Sequence, residues 1–150
     1  MIDVEITGRS VPRFSRAAMR DFVLQSVRNV EKARSAAIRA SEISVAIIGD
    51  DEMCLLNRDF RGKNKTTDVL TFPADETYSE PGGSAHPLGD VVISLDQAAR
   101  QAVAQKHSLA MEVRYLLLHG IIHAFGFDHE TDAGEMNALE LKLRDKMGLE

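Results

Sequence analysis

His119, His123 and His129 lie in the string HGIIHAFGFDH, an HxxxHxxxxxH spacing suited to three imidazoles sharing one metal ion. Residues four apart on a helix project from one face about a turn apart, so the first two can reach the same ion. The third needs the chain to turn back, and Gly126 stands where that turn would fall. Glycine after a helix takes the left-handed conformation at little steric cost and stops the helix. Three neutral nitrogens leave a zinc ion its full double charge and, in a tetrahedral site, one open position, which separates catalytic from structural zinc. A structural site would normally take four ligands, often cysteines, and the single cysteine, Cys54, is far upstream. The stretch from Tyr115 to Ile122 (YLLLHGII) is apolar almost all round and predicts a buried helix. Two unpaired imidazoles there would carry a desolvation cost that a shared metal removes. His86 and His107 have no partner at ligand spacing and read as ordinary surface residues.

The spacing also matches the HExxHxxGxxH signature of metzincin proteases, with Gly126 at the glycine position. The match fails at position 120. Those proteases carry there the glutamate that takes a proton from the zinc-bound water, and this chain has Gly120. A metzincin-like zinc peptidase has therefore lost its base, and the metal is expected to serve another hydrolysis or to take its base from elsewhere. The small size of Gly120 suggests that substrate or backbone approaches the ion there.

At 150 residues and 44% hydrophobic, the chain is expected to form a single domain over 1–150 with a substantial core. MIDVEITGRS lacks an apolar signal-peptide core, and no stretch approaches the roughly 20 apolar residues of a membrane span. The expected location is the cytoplasm, with no membrane partner. A lone cysteine cannot form an internal disulfide, which fits a reducing compartment. A net charge of −5 argues against indiscriminate coating of nucleic acid, and no DNA partner is expected. Basic residues nevertheless concentrate in the first 65 positions. The densest group, Arg58, Arg61, Lys63 and Lys65 in NRDFRGKNK, can meet phosphates locally, with a solvated loop as the plainer alternative.

These residues need elements to hold them. Alternation of Ile2, Val4 and Ile6 with polar residues predicts a strand over Met1 to Thr7. A helix is expected from about Ser15 to Arg39, with Phe22, Val23, Val27 and Val30 as its core-facing stripe. Ile43 to Ile48 reads as a strand, followed by a short helix from Gly49-Asp50-Asp51 to about Phe60. Val69 to Phe72, stopped by Pro73, and Asp90 to Leu95 are further strands, separated by a long exposed loop over Asp75 to Leu88. Asp96 is the expected cap of a helix over Gln97 to His107, and Ser108 that of the helix bearing His119 and His123. A last helix, Ala133 to Met147, has Asp132 as expected N-cap, Glu135 three residues on and Gly148 as its stop. This order predicts an α+β fold: a small mixed β-sheet of about four strands packed with helices, the histidine metal site lying on a C-terminal helix and the following turn.

Three segments in sequence, NRDFRGKNKTTDVLTFP at 57–73, LGDVVIS at 88–94 and HGIIHAFGFDH at 119–129, resemble the YbeY family of bacterial metal-dependent endoribonucleases, also called ribosomal RNA maturation factors. The resemblance spans nearly the whole chain. It departs from the family pattern at Ile122 and Ala124, where leucines are usual, which are packing changes that leave the ligands untouched. It implies a zinc-dependent endonuclease cutting single-stranded RNA, with one Zn2+ per chain. The implied role is in ribosomal RNA processing, notably at the small-subunit 3′ end, and in ribosome quality control. Implied partners are ribosomal RNA, the small ribosomal subunit, ribosomal proteins and a ribosome-associated GTPase. By this resemblance the metal ligands fall on His119, His123 and His129, and catalytic roles on Arg61 and His119. A ribosome-assembly factor acting mainly by binding is the alternative.

The chemistry agrees with that implication. Cleaving a phosphodiester builds negative charge on nonbridging oxygens, which a divalent ion and a fixed guanidinium stabilise together. The planar fork of Arg61 can hold two phosphate oxygens, which lysine does less well. Zinc lowers the pKa of its bound water to about 7, so a separate general base is not strictly required. Asp128 is a candidate to orient a ligand or the water from behind, against a plainer capping role. Asp68 and Asp90 read as hydrogen-bonding partners at strand ends.

Overall fold

The computed structural model describes residues 2–34, 39–74, 85–128 and 131–149. Along the chain it forms β1 (Asp3–Gly8), α1 (Arg16–Arg34), β2 (Arg39–Ile48), α2 (Asp50–Arg61), β3 (Val69–Pro73), β4 (Ala85–Ser94), α3 (Leu95–Gln105), α4 (Leu109–Ala124) and α5 (Glu135–Lys146). The fold is α+β with a mixed four-stranded sheet in the order β1-β2-β4-β3. β1 runs parallel to β2 and β2 to β4, while β3 lies antiparallel along β4 at one edge. Among the described residues no helix is long and apolar enough to cross a membrane.

Strand alternation divides the apolar residues between two layers. Ile43, Val45 and Ile47 of β2 and Val91 and Ile93 of β4 enter the main core with Phe22, Val23, Val27 and Val30 of α1, the stripe expected from sequence. The residues between them, Ala46, Ile48 and Val92, meet Met53 and Leu56 of α2 on the opposite face. α4 is buried nearly all round, as its composition requires, and packs against α1, α3, α5, β3 and β4.

Where α4 crosses the sheet there is no room for a side chain at Gly120. A Cβ built there would stand 2.6 Å from Val91 Cγ1 and 3.3 Å from Thr71 Oγ1. What approaches position 120 is thus the sheet, through the side chains of Val91 and Thr71, where substrate or backbone beside the ion was expected. Gly120→Ala must displace the fully buried Val91, and overpacking of this kind costs about 1–3 kcal/mol. Although alanine regains up to about 1 kcal/mol as the better helix former, the denaturant midpoint should fall. An unchanged midpoint would show that the helix sits more loosely than this contact implies.

Other boundaries differ from expectation for identifiable reasons. β4 begins at Ala85, so 85–88 of the expected loop is strand, and β2 begins at Arg39 rather than Ile43. The two extensions pair with each other, Arg39 with Ala85 and Glu42 with Pro87, through register shifts that break the alternation a strand would show in sequence. The rest of that loop, 75–84, lies outside the described residues. The helix expected to reach Arg39 ends at Arg34, and 35–38 also lie outside.

Ser94, not Asp96, caps α3, its hydroxyl accepting from the Gln97 N–H at 3.2 Å. Asp96 serves α2 instead, accepting from Asp50 N–H at 2.9 Å and from Arg9 at 3.1 Å. The Asp50 bond first, then Arg9, holds its carboxyl below the usual range. Ser108 caps α4 as expected, through Met111 N–H at 3.0 Å. α5 starts at Glu135, two residues later than expected, with Gly134 at the cap position. Asp132 still accepts from Gly134 and Met136 N–H at 2.8 and 2.9 Å, and Glu135 reaches back to Ala133 N–H at 2.7 Å.

Candidate active site

His119 and His123 sit near the C-terminal end of α4, one turn apart. The helix stops at Phe125, and Gly126 takes φ +103° to turn the chain, as its position predicts. The turn returns the Phe127 carbonyl to His123 Nδ1 at 2.6 Å. His119 Nδ1 meets Glu140 Oε1 of α5 at 2.6 Å, and Arg144 donates to the other oxygen of Glu140, also at 2.6 Å. The Arg144 guanidinium rests 4.2 Å above the Tyr115 ring. A carbonyl and a carboxylate only accept, so in both histidines Nδ1 carries the hydrogen and the neutral ring has its lone pair on Nε2. Outer partners of this kind are what fix the tautomer and orientation of metal-ligating histidines, so the donor set fits a zinc-like ion. The third expected ligand, His129, lies outside the described residues. Among those described, no group of three or more His, Cys, Asp or Glu is arranged to hold an ion.

Sequence reasoning missed Glu140, although a signal was present. It is 8% exposed and shares the buried stripe of α5 with Met136 and Leu143, where a carboxylate is out of place unless paired. The Glu140 bond raises the His119 pKa above its ordinary 6.5 against opposing burial. Burial pushes Glu140 upward, but His119 and Arg144 outweigh it and hold the carboxyl below its ordinary 4.5. Stability from the raised histidine is present below 6.5 and lost as pH rises through its folded value. Stability from the depressed carboxylate is present above 4.5 and lost as pH falls through its folded value. In metal-free protein the difference in melting temperature between wild type and Glu140→Gln should therefore be largest between pH 4.5 and 6.5. A difference independent of pH would show that the pair is not ionic. The same substitution should weaken zinc binding about 10–100-fold.

Arg61 reaches this region from the other side of the sheet. It is the last residue of α2, and with Phe60, Asp68, Asp128 and the β3 residues it lines a cleft of about 640 Å³ that also contains His119 and His123. The cleft wraps the β3 edge: Thr71 faces α4 and donates to Gly120 O at 3.4 Å, whereas Phe72 packs under α2. Buried Asn57 anchors the loop after Arg61, donating to Lys65 O at 2.9 Å. Arg58, Lys63 and Lys65 are exposed and do not line the cleft.

The remaining candidates divide. Asp68 accepts from Val69 N–H at 2.7 Å, the strand-end role expected, and also borders the cleft. Asp90 lies on the α2 side, away from the histidines. The Asp128 carbonyl accepts from Thr131 and Asp132 N–H at 3.2 and 3.0 Å, so its backbone shapes the turn while the residue borders the cleft. His107 is not the surface residue expected. Its Nε2 pairs with buried Glu112 and its ring stands edge-on to Tyr115 at 5.2 Å, in the wall of a cavity of about 530 Å³ adjoining His119. Gln101 ties that wall together by donating to Glu112 at 2.9 Å and to Asp68 at 3.3 Å. The side chain of His86 lies outside the described residues.

The family model for the endoribonuclease YbeY matches residues 3–148. The chain belongs to the YbeY endoribonuclease family. A YbeY endoribonuclease of Koribacter versatilis is 48% identical over 118 residues, covering 79% of this chain and 72% of the relative. One from Anaeromyxobacter sp. is 44% identical over 126 residues, covering 79% of this chain and 64% of that protein. The solution structure of TM1509 from Thermotoga maritima superposes with a TM-score of 0.58 at 23% identity, over 97% of this chain and 89% of that one, and shares its fold. The cleft around β3 is thus a feature of a YbeY-family chain, and membership supports an endoribonuclease role.

Proposed function

We propose that this chain is a metal-dependent endoribonuclease cutting single-stranded RNA, with ribosomal RNA near the small-subunit 3′ end as its substrate and ribosome quality control as its wider role. The observation carrying this reading is that Arg61 and the pair His119 and His123, far apart in sequence and on opposite layers of the sheet, line one cleft. In this reading the chain works in the cytoplasm as one domain over 1–150, and meets the small ribosomal subunit, its proteins and a ribosome-associated GTPase. His119, His123 and His129 hold one zinc ion. Bound there, zinc supplies positive charge beside the phosphate and a lowered pKa for coordinated water. Glu140 and the Phe127 carbonyl keep the two imidazoles in the tautomer that leaves Nε2 basic. Arg61 grips the nonbridging phosphate oxygens and stabilises the charge that grows on them.

A peptidase reading is disfavoured because position 120 holds glycine where that mechanism takes its base. The test is elemental analysis of the purified protein with cleavage of a defined single-stranded RNA, before and after chelation, beside duplex RNA and casein. One zinc per chain and single-strand cleavage lost on chelation are expected. Zinc-loaded protein that binds but never cuts RNA would favour the assembly-factor reading, and casein digestion the peptidase.

A further inference from the structure

Phe60 immediately precedes Arg61 and is 66% exposed. Leu55, Val103 and Leu141 are also large, apolar and exposed, but among the described residues Phe60 alone of these lines the cleft with Arg61, His119 and His123. Its ring is held in place. Phe72 of β3 meets it at a centroid distance of 5.0 Å and an interplanar angle of 70°. A T-shaped contact occupies at most one face of the Phe60 ring, and its exposure leaves the rest to solvent. Phe60 also borders a second hollow, of about 400 Å³, where Leu56, Phe72 and Val92 lie beside the carboxylates of Glu5 and Asp90. The ring therefore forms a ridge between a cleft with a guanidinium and a hollow of mixed lining.

A nucleotide offers a charged phosphate to the guanidinium and a flat, weakly polar base to the exposed ring beside it. We propose that Phe60 is a stacking platform for a nucleobase of single-stranded RNA, holding the nucleotide whose phosphate meets Arg61. This rests on the nuclease reading and deepens it. Stacking on an aromatic face is tolerant of sequence because every base offers a π-face. It also requires an unstacked base, which a duplex withholds, so the platform gives single-strand selectivity a physical origin.

The chain has no tryptophan, so Phe60→Trp installs one indole at the platform. Titrating that zinc-loaded variant with a single-stranded, 2′-O-methylated oligouridylate should quench its fluorescence saturably. A duplex, or an abasic oligomer of equal charge, should leave it bright. By anisotropy of the labelled oligouridylate, Phe60→Ala should bind roughly tenfold more weakly than wild type, with Phe60→Trp near wild type. Phe60→Leu, which keeps an apolar contact to Phe72, should bind as weakly as the alanine variant. Wild-type affinity in Phe60→Ala and Phe60→Leu, or equal quenching by the abasic oligomer, overturns the platform and leaves the nuclease reading standing. Wild-type protein that binds no single-stranded RNA overturns both.

Discussion

His123→Ala should lose bound zinc and RNA cleavage together. The imidazole has its lone pair on Nε2 because Nδ1 donates to the Phe127 carbonyl at 2.6 Å, and truncation removes both that donor atom and the bond bracing the turn. Losing an orienting partner alone typically costs 10–100-fold in metal affinity, so losing a ligand should exceed about 100-fold. Zinc content by elemental analysis should fall from one per chain towards zero, and cleavage of single-stranded RNA should fall in parallel. The fold should survive, since the apolar residues that seat α4, Leu117, Leu118, Ile121 and Ile122, are untouched. A folded His123→Ala protein that retains full zinc would remove His123 from the ligand set.

Arg61→Ala should separate the two halves of the site. Zinc content should stay at the wild-type level, because the guanidinium arrives from α2 on the other layer of the sheet. The rate constant for cleavage should drop about 10²–10³-fold, the usual cost of removing one donor aimed at developing charge. Arg61 also favours the C-terminal end of α2 electrostatically, an effect worth only about 0.3–1 kcal/mol. A large loss of kcat with little change in melting temperature therefore distinguishes phosphate binding from helix stabilisation. Arg61→Lys should recover part of the rate, since it restores the charge without the two-pronged geometry. Wild-type cleavage by Arg61→Ala would end the phosphate role.

Local patterns carried much of this architecture. The α1 stripe, the apolar α4, the Ser108 cap and the Gly126 turn each depend on residues close in sequence, and all were legible there. What escaped depends on partners distant in the chain. The strand character of 85–88 comes from pairing with 39–42, whose shifted register hides any alternation. Asp96 looked like the cap of its own helix but serves α2, and only the packing of α2 beside α3 brings that end within reach. His107 seemed partnerless because Glu112 lies beyond the helix break at Ser108, outside the spacing rules of a single helix. The candidate site follows the same division. The placing of His119 and His123 a turn apart could be read from their spacing, and Arg61 was named by the family resemblance, whereas Glu140, twenty-one residues beyond His119, joins the site only when α5 folds back along α4.

The seat of Gly120 bears on how a hydrolase of this kind changes its reaction. In the metzincin arrangement the carboxylate after the first histidine is the base for peptide hydrolysis, which suggests that one substitution would install it. Here the Cα–Cβ direction at that position points at Val91, so a new carboxylate would enter the apolar interior as an uncompensated charge. Acquiring the protease base would require lifting the helix from the sheet and refilling the gap beneath it. The spacing of helix and sheet, as well as the codon, keeps that base from position 120.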